Sequence, residues 1–517
     1  MPSRAREAMM IVPTTLHELI EAGDPATIAI AAPDRAPMTR AALAGQSAEL
    51  VGGLRGLGVR ITDSAAIVVP NGPEMAALFV GVAAGARAAP LNPAYREEEF
   101  DFYLSDIEAR VLLIEAGLDS PARAVATRRR IPIVDVEPVE SAPAGSLRLL
   151  RDGKPIAPSA VSFGEKQDVA LVLHTSGTTS RPKIVPLSHF NLMTSARNIA
   201  GTLRLTPVDR CLVIMPLFHI HGLIGALLSS LFAGASVFCP PGFNALKFFG
   251  WLDESAATWY SAVPTMHQAI LARADRNRQI LERRRLRFIR SSSASLPPPV
   301  MRALEETFGC PVIESYGMTE ASHQMASNPL PPAARKPGTV GRAAGPEVAI
   351  MGPDGTLFGA GAVGEIVIRG ASITSGYANN PAANAEAFRN GWFRTGDLGV
   401  MDEEGYLTIS GRLKEIINRG GEKIAPREID DVLLDHPAIA QAVTFALPHA
   451  LLGEEVAAAI VLRDDQQASE REIREFVAQR LAEFKAPRRV VFLAEIPKGP
   501  TGKVQRIGLA ARLGLTA

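Results

Sequence analysis

The stretch His-Thr-Ser-Gly-Thr-Thr-Ser-Arg-Pro-Lys, residues 174–183, gathers five hydroxyls, one glycine and two cations into ten residues. Hydroxyls and free backbone N–H groups donate to anions, and a guanidinium and an ammonium neutralise them, so the chemistry offered is oxyanion binding. The flanking runs "DVALVLH" and "IVPL" read as buried strands, which makes Thr175 to Lys183 a tight strand-to-strand connection. It is not a Walker loop, because GxxxxGK[ST] is absent and no helix opens directly after Lys183. A solvated Ser/Thr-rich turn has the same composition, and the residues alone leave that reading open.

The elements that must hold such a loop follow a regular rhythm. "AAIVVP" precedes "EMAALFVGVAAGA", "CLVIMP" precedes "GLIGALLSSLFAGA", "TWYSAV" precedes "TMHQAILARA", and "LRFIRSS" precedes "PPVMRALEETFG". Strand and helix alternating in this way predict an α/β fold of mainly parallel sheets covered by helices. From about residue 345 the texture changes to "EVAIMGPDG", "VGEIVIRG" and "GYLTISG", strands set off by Gly-rich turns without helices, which predicts a small β-rich subdomain. The last hundred residues carry strands in "AVTFALP" and "EVAAAIVL" and a helix in "EREIREFVAQRLAEF" that Pro487 would stop. A separate small α/β domain is expected there, behind the charged, Gly-rich segment "SGRLKEIINRGGEKIAP".

At 517 residues the chain exceeds one hydrophobic core. Lys plus Arg equals Asp plus Glu at 54 each, without long like-charge blocks, so attraction to nucleic acid or to an anionic membrane is not supported and small-molecule partners are expected. Cys211, Cys239 and Cys310 stand far apart in apolar settings and form neither a metal spacing nor a disulfide framework. The opening residues lack the apolar core of a secretory signal and no run of about 18 apolar residues occurs, so a cytoplasmic protein is expected. Oligomeric state is not encoded in these features.

The 174–189 stretch resembles the phosphate-binding loop of the acyl-adenylate-forming superfamily, and further motifs of that family follow in order: "ESYGMTE" (314–320), "GWFRTGDLG" (391–399), "GRLKEIINRGGEKIAPREID" (411–430) and "PKGPTGKVQR" (497–506). Family members usually carry Gly where Ser180 and Ile184 stand here. The resemblance implies an AMP-binding domain over residues 1–410, with its β-rich subdomain at about 345–410, a hinge at 411–415 and a mobile C-terminal domain over 416–517. It implies ATP, Mg2+ and CoA as the small molecules used, and a carboxylic acid joined to CoA through an acyl-adenylate.

The same resemblance assigns roles residue by residue. Thr175, Ser176, Gly177, Thr178, Thr179, Ser180 and Lys183 would hold the β and γ phosphates, Thr319 the α phosphate, and Glu320 the Mg2+. Asp397 would accept from the ribose hydroxyls with Arg412 beside it, and adenine would lie by Tyr316 and Gly317, near Ser293, Ala294, Glu314 and Ser315. Lys503 would bridge the carboxylate and the α phosphate, Lys414 would mark the hinge, and Gly420 and Gly421 would line the path of CoA.

For the acid, "PLFHIHG" supplies His219 and His221, "SSSASL" supplies Ser293, and "TEASHQM" supplies His323. Hydroxyls and imidazoles suit a small acid whose second carboxylate stays anionic and must be met by donors. Within the family this resembles the oxalate-activating branch. A 4-coumarate-like or medium-chain acid, and a nucleotide-binding protein without catalysis, are the other readings the motifs allow. His267, after "PTM", reads as a structural histidine.

Overall fold

In this computed structural model residues 12–175, 182–497, 504 and 506–515 are described. The expected roles of Ser176, Gly177, Thr178, Thr179, Ser180, Arg181 and Lys503 fall outside them. The chain divides into two units, each discontinuous in sequence.

The first unit comprises Met1–Leu173, Pro186–Ser261 and Glu320–His323. Its strand Ser64–Val68 is buried along its whole length, as a strand covered on both faces must be. It pairs in parallel with Arg87–Pro90 on one side and Ala109–Glu115 on the other. Val169–His174 and Ile133–Pro138 extend the sheet outward, again in parallel, and Leu147–Arg151 with Lys154–Pro155 closes one edge antiparallel. Helix Pro73–Gly85 is the crossover from Ser64–Val68 to Arg87–Pro90. It is apolar all round, buries every residue except Glu74, and starts on a proline that suits the first helical turn.

A second sheet in this unit sets Trp259–Ala262, Arg210–Leu212, Ser236–Phe238 and Ile28–Ala31 side by side in parallel, with Met38–Thr39 antiparallel at the end. The run "GLIGALLSSLFAGA", expected as an ordinary helix, is a π-helix over His221–Leu228 that continues as an α-helix over Ser229–Phe232. Where the two meet, Ser229 Oγ donates to the Gly225 carbonyl and Ser230 Oγ to the Ala226 carbonyl at 2.7 Å, satisfying groups that the wider turn frees.

The second unit comprises His174–Val185, Ala262–Thr319 and Gln324–Ala517. Phe288–Ser291 and Val312–Met318 run in parallel, joined by the amphipathic helix Pro298–Phe308, whose C-cap Gly309 is left-handed. Residues 347–412 form an antiparallel sheet in the order Leu357–Phe358, Glu347–Met351, Val363–Arg369, Trp392–Met401, with Phe388–Arg389 and Leu407–Arg412 both paired to the last. One helix interrupts this expected all-strand stretch, Pro381–Ala387, capped by the Asn380 side chain and begun by Pro381.

Farther along, Gly453–Leu462 is flanked by Ile439–His449 and Arg489–Phe492, with Ile417–Arg419 and Glu422–Ile424 beyond. Helices Pro426–Leu434 and Glu470–Ala478 cover one face of that sheet through Ile429, Leu433, Ile473 and Val477. The second of these helices ends at Ala478, well before Pro487, because Leu481 and Phe484 turn back onto the same core. The chain is α/β, with mainly parallel helix-covered sheets followed by a β-rich portion and a small α/β portion.

Candidate active site

In the second unit the predicted nucleotide residues converge on one carboxylate. Asp397 and Arg412 face each other in the ladder between Trp392–Met401 and Leu407–Arg412, and Arg412 Nε lies 3.1 Å from Asp397 Oδ1. The Tyr316 hydroxyl, delivered by the strand Val312–Met318, donates to Asp397 Oδ2. Burial first, and then the Asp397 charge, holds the phenol well above its usual range, so it stays a donor. Each oxygen of an ionised carboxylate has about two acceptor positions, so Asp397 keeps capacity for a diol beside these two partners.

Thr175 and Lys183, at the two ends of the expected phosphate-binding stretch, bond to each other. The Thr175 N–H donates to the Lys183 carbonyl at 2.9 Å, and the Lys183 N–H donates to Thr175 Oγ1 at 3.1 Å. Lys183 Nζ stands 4.5 Å from the centre of the Tyr377 ring. Glu314 is buried and accepts from the Leu296 N–H at 3.0 Å through one oxygen. Ser315 Oγ donates to the Ser291 carbonyl, which ties this residue to the neighbouring strand. Ser293 is half-buried at a left-handed φ of 70°, Ala294 is exposed, and Gly317 and Thr319 are half-buried.

Lys414 sits exposed in the short 3-10 turn Leu413–Glu415. Gly420 and Gly421 form the two-residue turn joining Ile417–Arg419 to Glu422–Ile424, with φ of 58° and 101°. Two successive positive φ values are the geometry of a tight hairpin, so the turn itself calls for both glycines.

In the first unit the structure brings two of the predicted acid-binding imidazoles together. His221 and His323, each 2% exposed, stack with ring centroids 4.9 Å apart and planes 19° from parallel. His221 opens the π-helix, and its Nε2 lies 2.6 Å from Ser261 Oγ. Gly222 follows because a Cβ there would lie 2.3 Å from the Pro216 carbonyl oxygen. His323 and the residue before it, Ser322, have φ of 96° and 51°, a conformation that costs side-chain-bearing residues about 1 kcal/mol or more each. His219 is half-buried with its ring 5.0 Å from Phe218. Glu320 is buried in the turn Thr319–Ala321. Ser293 belongs to the second unit.

Mg2+ takes one or two carboxylates together with phosphate oxygens and water. The buried carboxylate of Glu320 is of the kind that donor set calls for.

Further polar residues, not marked by any motif, stand behind these. Ser261 is a buried hydroxyl in the otherwise apolar strand "WYSA", and Ser195 Oγ donates to the Ser322 carbonyl at 2.6 Å. Arg427 donates to Ser295 Oγ. Arg506 meets Glu415 at 3.2 Å, Asp430 at 2.5 Å and the Thr444 carbonyl at 3.0 Å. A polar residue at an apolar-patterned position was the available signal for the two serines. His267 is structural as expected: the Ala262 and Arg290 backbones bond its ring, and burial pushes it down to about 3.

Parallel helix-covered sheets, a buried carboxylate with acceptor capacity to spare and a small terminal α/β portion are the features to set beside known proteins. Residues 9–378 match the AMP-binding enzyme family and residues 428–503 match the AMP-binding enzyme C-terminal domain. The chain is 46% identical over 456 residues to an oxalate–CoA ligase of Arabidopsis thaliana, covering 87% of this chain and 88% of that one. It is 43% identical over 468 residues to an oxalate–CoA ligase of Saccharomyces cerevisiae, covering 86% of each. Among solved structures it resembles the o-succinylbenzoate coenzyme A synthetase of Bacillus subtilis in complex with ATP and magnesium ion, with a TM-score of 0.82 and 29% identity over 96% of this chain and 99% of that one. The chain belongs to the AMP-binding enzyme family and is an AMP-forming acyl-CoA ligase. ATP and CoA are its cosubstrates. No helix among the described residues is long and apolar enough to cross a membrane.

Proposed function

We propose that this ligase activates oxalate, converting oxalate, ATP and CoA to oxalyl-CoA, AMP and diphosphate. The observation that carries the reading is the buried, stacked pair His221 and His323 with Ser261 on the former, a set of donors where an apolar acid would need hydrocarbon. The two oxalate–CoA ligases at 46% and 43% identity support it.

In this reading one oxalate oxygen attacks the α-phosphorus of ATP, and the bond to the bridging oxygen of the departing diphosphate breaks as the new O–P bond forms. The thiol of CoA, losing its proton, then attacks the acyl carbon and expels AMP. The other carboxylate stays anionic throughout, and His323 and His221 donate to it, with His219 as a further donor. The Thr175 to Lys183 loop holds the outer phosphates, Thr319 the α phosphate, Asp397 the ribose hydroxyls, and Lys503 the attacking carboxylate with the α phosphate. Glu320 would hold Mg2+, which when bound neutralises phosphate charge.

Residues 1–410 act as the adenylating domain, with the β-rich portion at about 345–410. Residues 411–415, with Lys414, are the hinge, and 416–517 is the domain that turns between half-reactions, presenting Lys503 first and Gly420 with Gly421 to CoA second. The separate family match over 428–503 supports that division.

The test is His323→Ala. Losing a hydrogen bond to a charged group raises the KM for oxalate by about 10- to 100-fold, while the KM for ATP stays within about twofold. Equal increases in both would speak against an acid-binding role for His323.

A further inference from the structure

His323 is held in a conformation that its own sequence disfavours. Ser322 and His323 are consecutive residues with side chains, and both lie in the left-handed region, at φ of 51° and 96°. Such pairs persist only where the surroundings over-determine them. Here the fixing bond is visible: Ser195, fully buried on the helix His189–Thr202, sends its hydroxyl to the Ser322 carbonyl at 2.6 Å. A helical serine ordinarily bonds the carbonyl four residues back or faces water, so this outward bond from a buried site is a specific use of the hydroxyl.

The consequence reaches the imidazole pair. The left-handed backbone at His323 sets the direction in which its side chain leaves the chain, and in that direction the ring stacks on His221 at 4.9 Å. Relaxation of the turn to the extended region would swing the ring away from His221. The partner ring is fixed in turn by Ser261, whose hydroxyl lies 2.6 Å from Nε2. Ring placement on both sides therefore depends on a buried serine, each remote in sequence from the imidazole it serves.

We infer that Ser195 is a positioning residue for acid specificity: through the Ser322 carbonyl it holds the strained turn that aims His323 at the distal carboxylate of the substrate. The inference rests on the reading of His323 as a ligand of that carboxylate. A residue that merely supported the fold would, when altered, disturb ATP and acid alike.

The experiment measures KM for oxalate and for ATP, and kcat, on Ser195→Ala, His323→Ala and the double variant Ser195→Ala with Ser322→Gly. Glycine accepts φ near 50° without strain, so it relieves the residue whose carbonyl the clamp holds and lessens the need for the clamp, His323 keeping its own φ of 96°. The clamp predicts a rise in oxalate KM of about tenfold in Ser195→Ala, an ATP KM within about twofold of the parent, and recovery of most of the oxalate KM in the double variant. Ser195→Cys, similar in volume and weaker as a donor, carries the same comparison if the alanine variant is insoluble. An unchanged oxalate KM, parallel increases for both substrates, or no recovery with Ser322→Gly would overturn the clamp while a selective loss in His323→Ala left the ligand role standing. No selective loss in His323→Ala would overturn both.

Discussion

Glu314 is buried on the strand Val312–Met318, and its second oxygen finds no hydrogen-bond partner among the described residues. Burial pushes its carboxyl up to about 7, against the opposing pull of the Leu296 N–H and of the Arg427 charge. A carboxyl with a raised folded-state value binds its proton more tightly folded than unfolded. Its contribution to stability is complete below the ordinary value of 4.5 and is lost as pH rises through 7. Glu314→Gln, which cannot titrate, therefore gains on the parent across that window, by on the order of 2–3 kcal/mol at pH 8 relative to pH 4.5. The measurement is the difference in melting temperature between variant and parent from pH 4.5 to 8, and a flat difference would contradict the assignment. His189 and His267, driven down by burial to about 4 and about 3, lose stability in the opposite direction, as pH falls below 6.5, and cancel from this comparison. The candidate site residues were nameable from sequence because short motifs fix their types. The titration of Glu314 was not, since it comes from burial beneath residues distant in sequence.

The π-helix His221–Leu228 shows where sequence pattern stops being informative about an element. Hydrophobic periodicity separates helix from strand when polar residues mark the exposed face, and this segment is buried throughout, so nothing marks its period. The strands Ser64–Val68 and Phe288–Ser291, bounded by turn residues and of strand length, were read correctly for the converse reason. Helix Pro381–Ala387 was legible in Asn380 and Pro381, a cap and a first-turn proline, yet lay inside a stretch dominated by strands. Gly222 is the residue on which the π-helix turns. Its absent Cβ leaves room for the Pro216 carbonyl, which a methyl would meet at 2.3 Å, against backbone that can yield only by moving the turn that carries His219 and His221. Gly222→Ala is expected to destabilise by about 1–3 kcal/mol and to raise the KM for oxalate more than that for ATP. Thermal melts with paired KM measurements check this; a variant matching the parent in both would show that the close approach is not required.

At the scale of the molecule, the family was legible from ordered motifs spread over residues 174–506, while the pairings that make the site work were not. Tyr316 reaches Asp397 across 81 residues, Ser195 reaches Ser322 across 127, and His221 reaches Ser261 across 40. Such bonds depend on which strands and helices lie side by side, a property of topology that local composition does not carry. The roles proposed for Thr175 to Lys183 and for Lys503 concern ATP, so they would not separate one acid from another. The buried imidazole pair, in the role proposed for it, would separate them, since donors favour a second carboxylate and penalise a hydrocarbon tail. The direct measurement is kcat/KM for CoA-thioester formation with purified full-length protein on oxalate, malonate, acetate, octanoate and 4-coumarate. Oxalate is expected to lead, by at least about a hundredfold over octanoate and 4-coumarate. A preference for either apolar acid would contradict it.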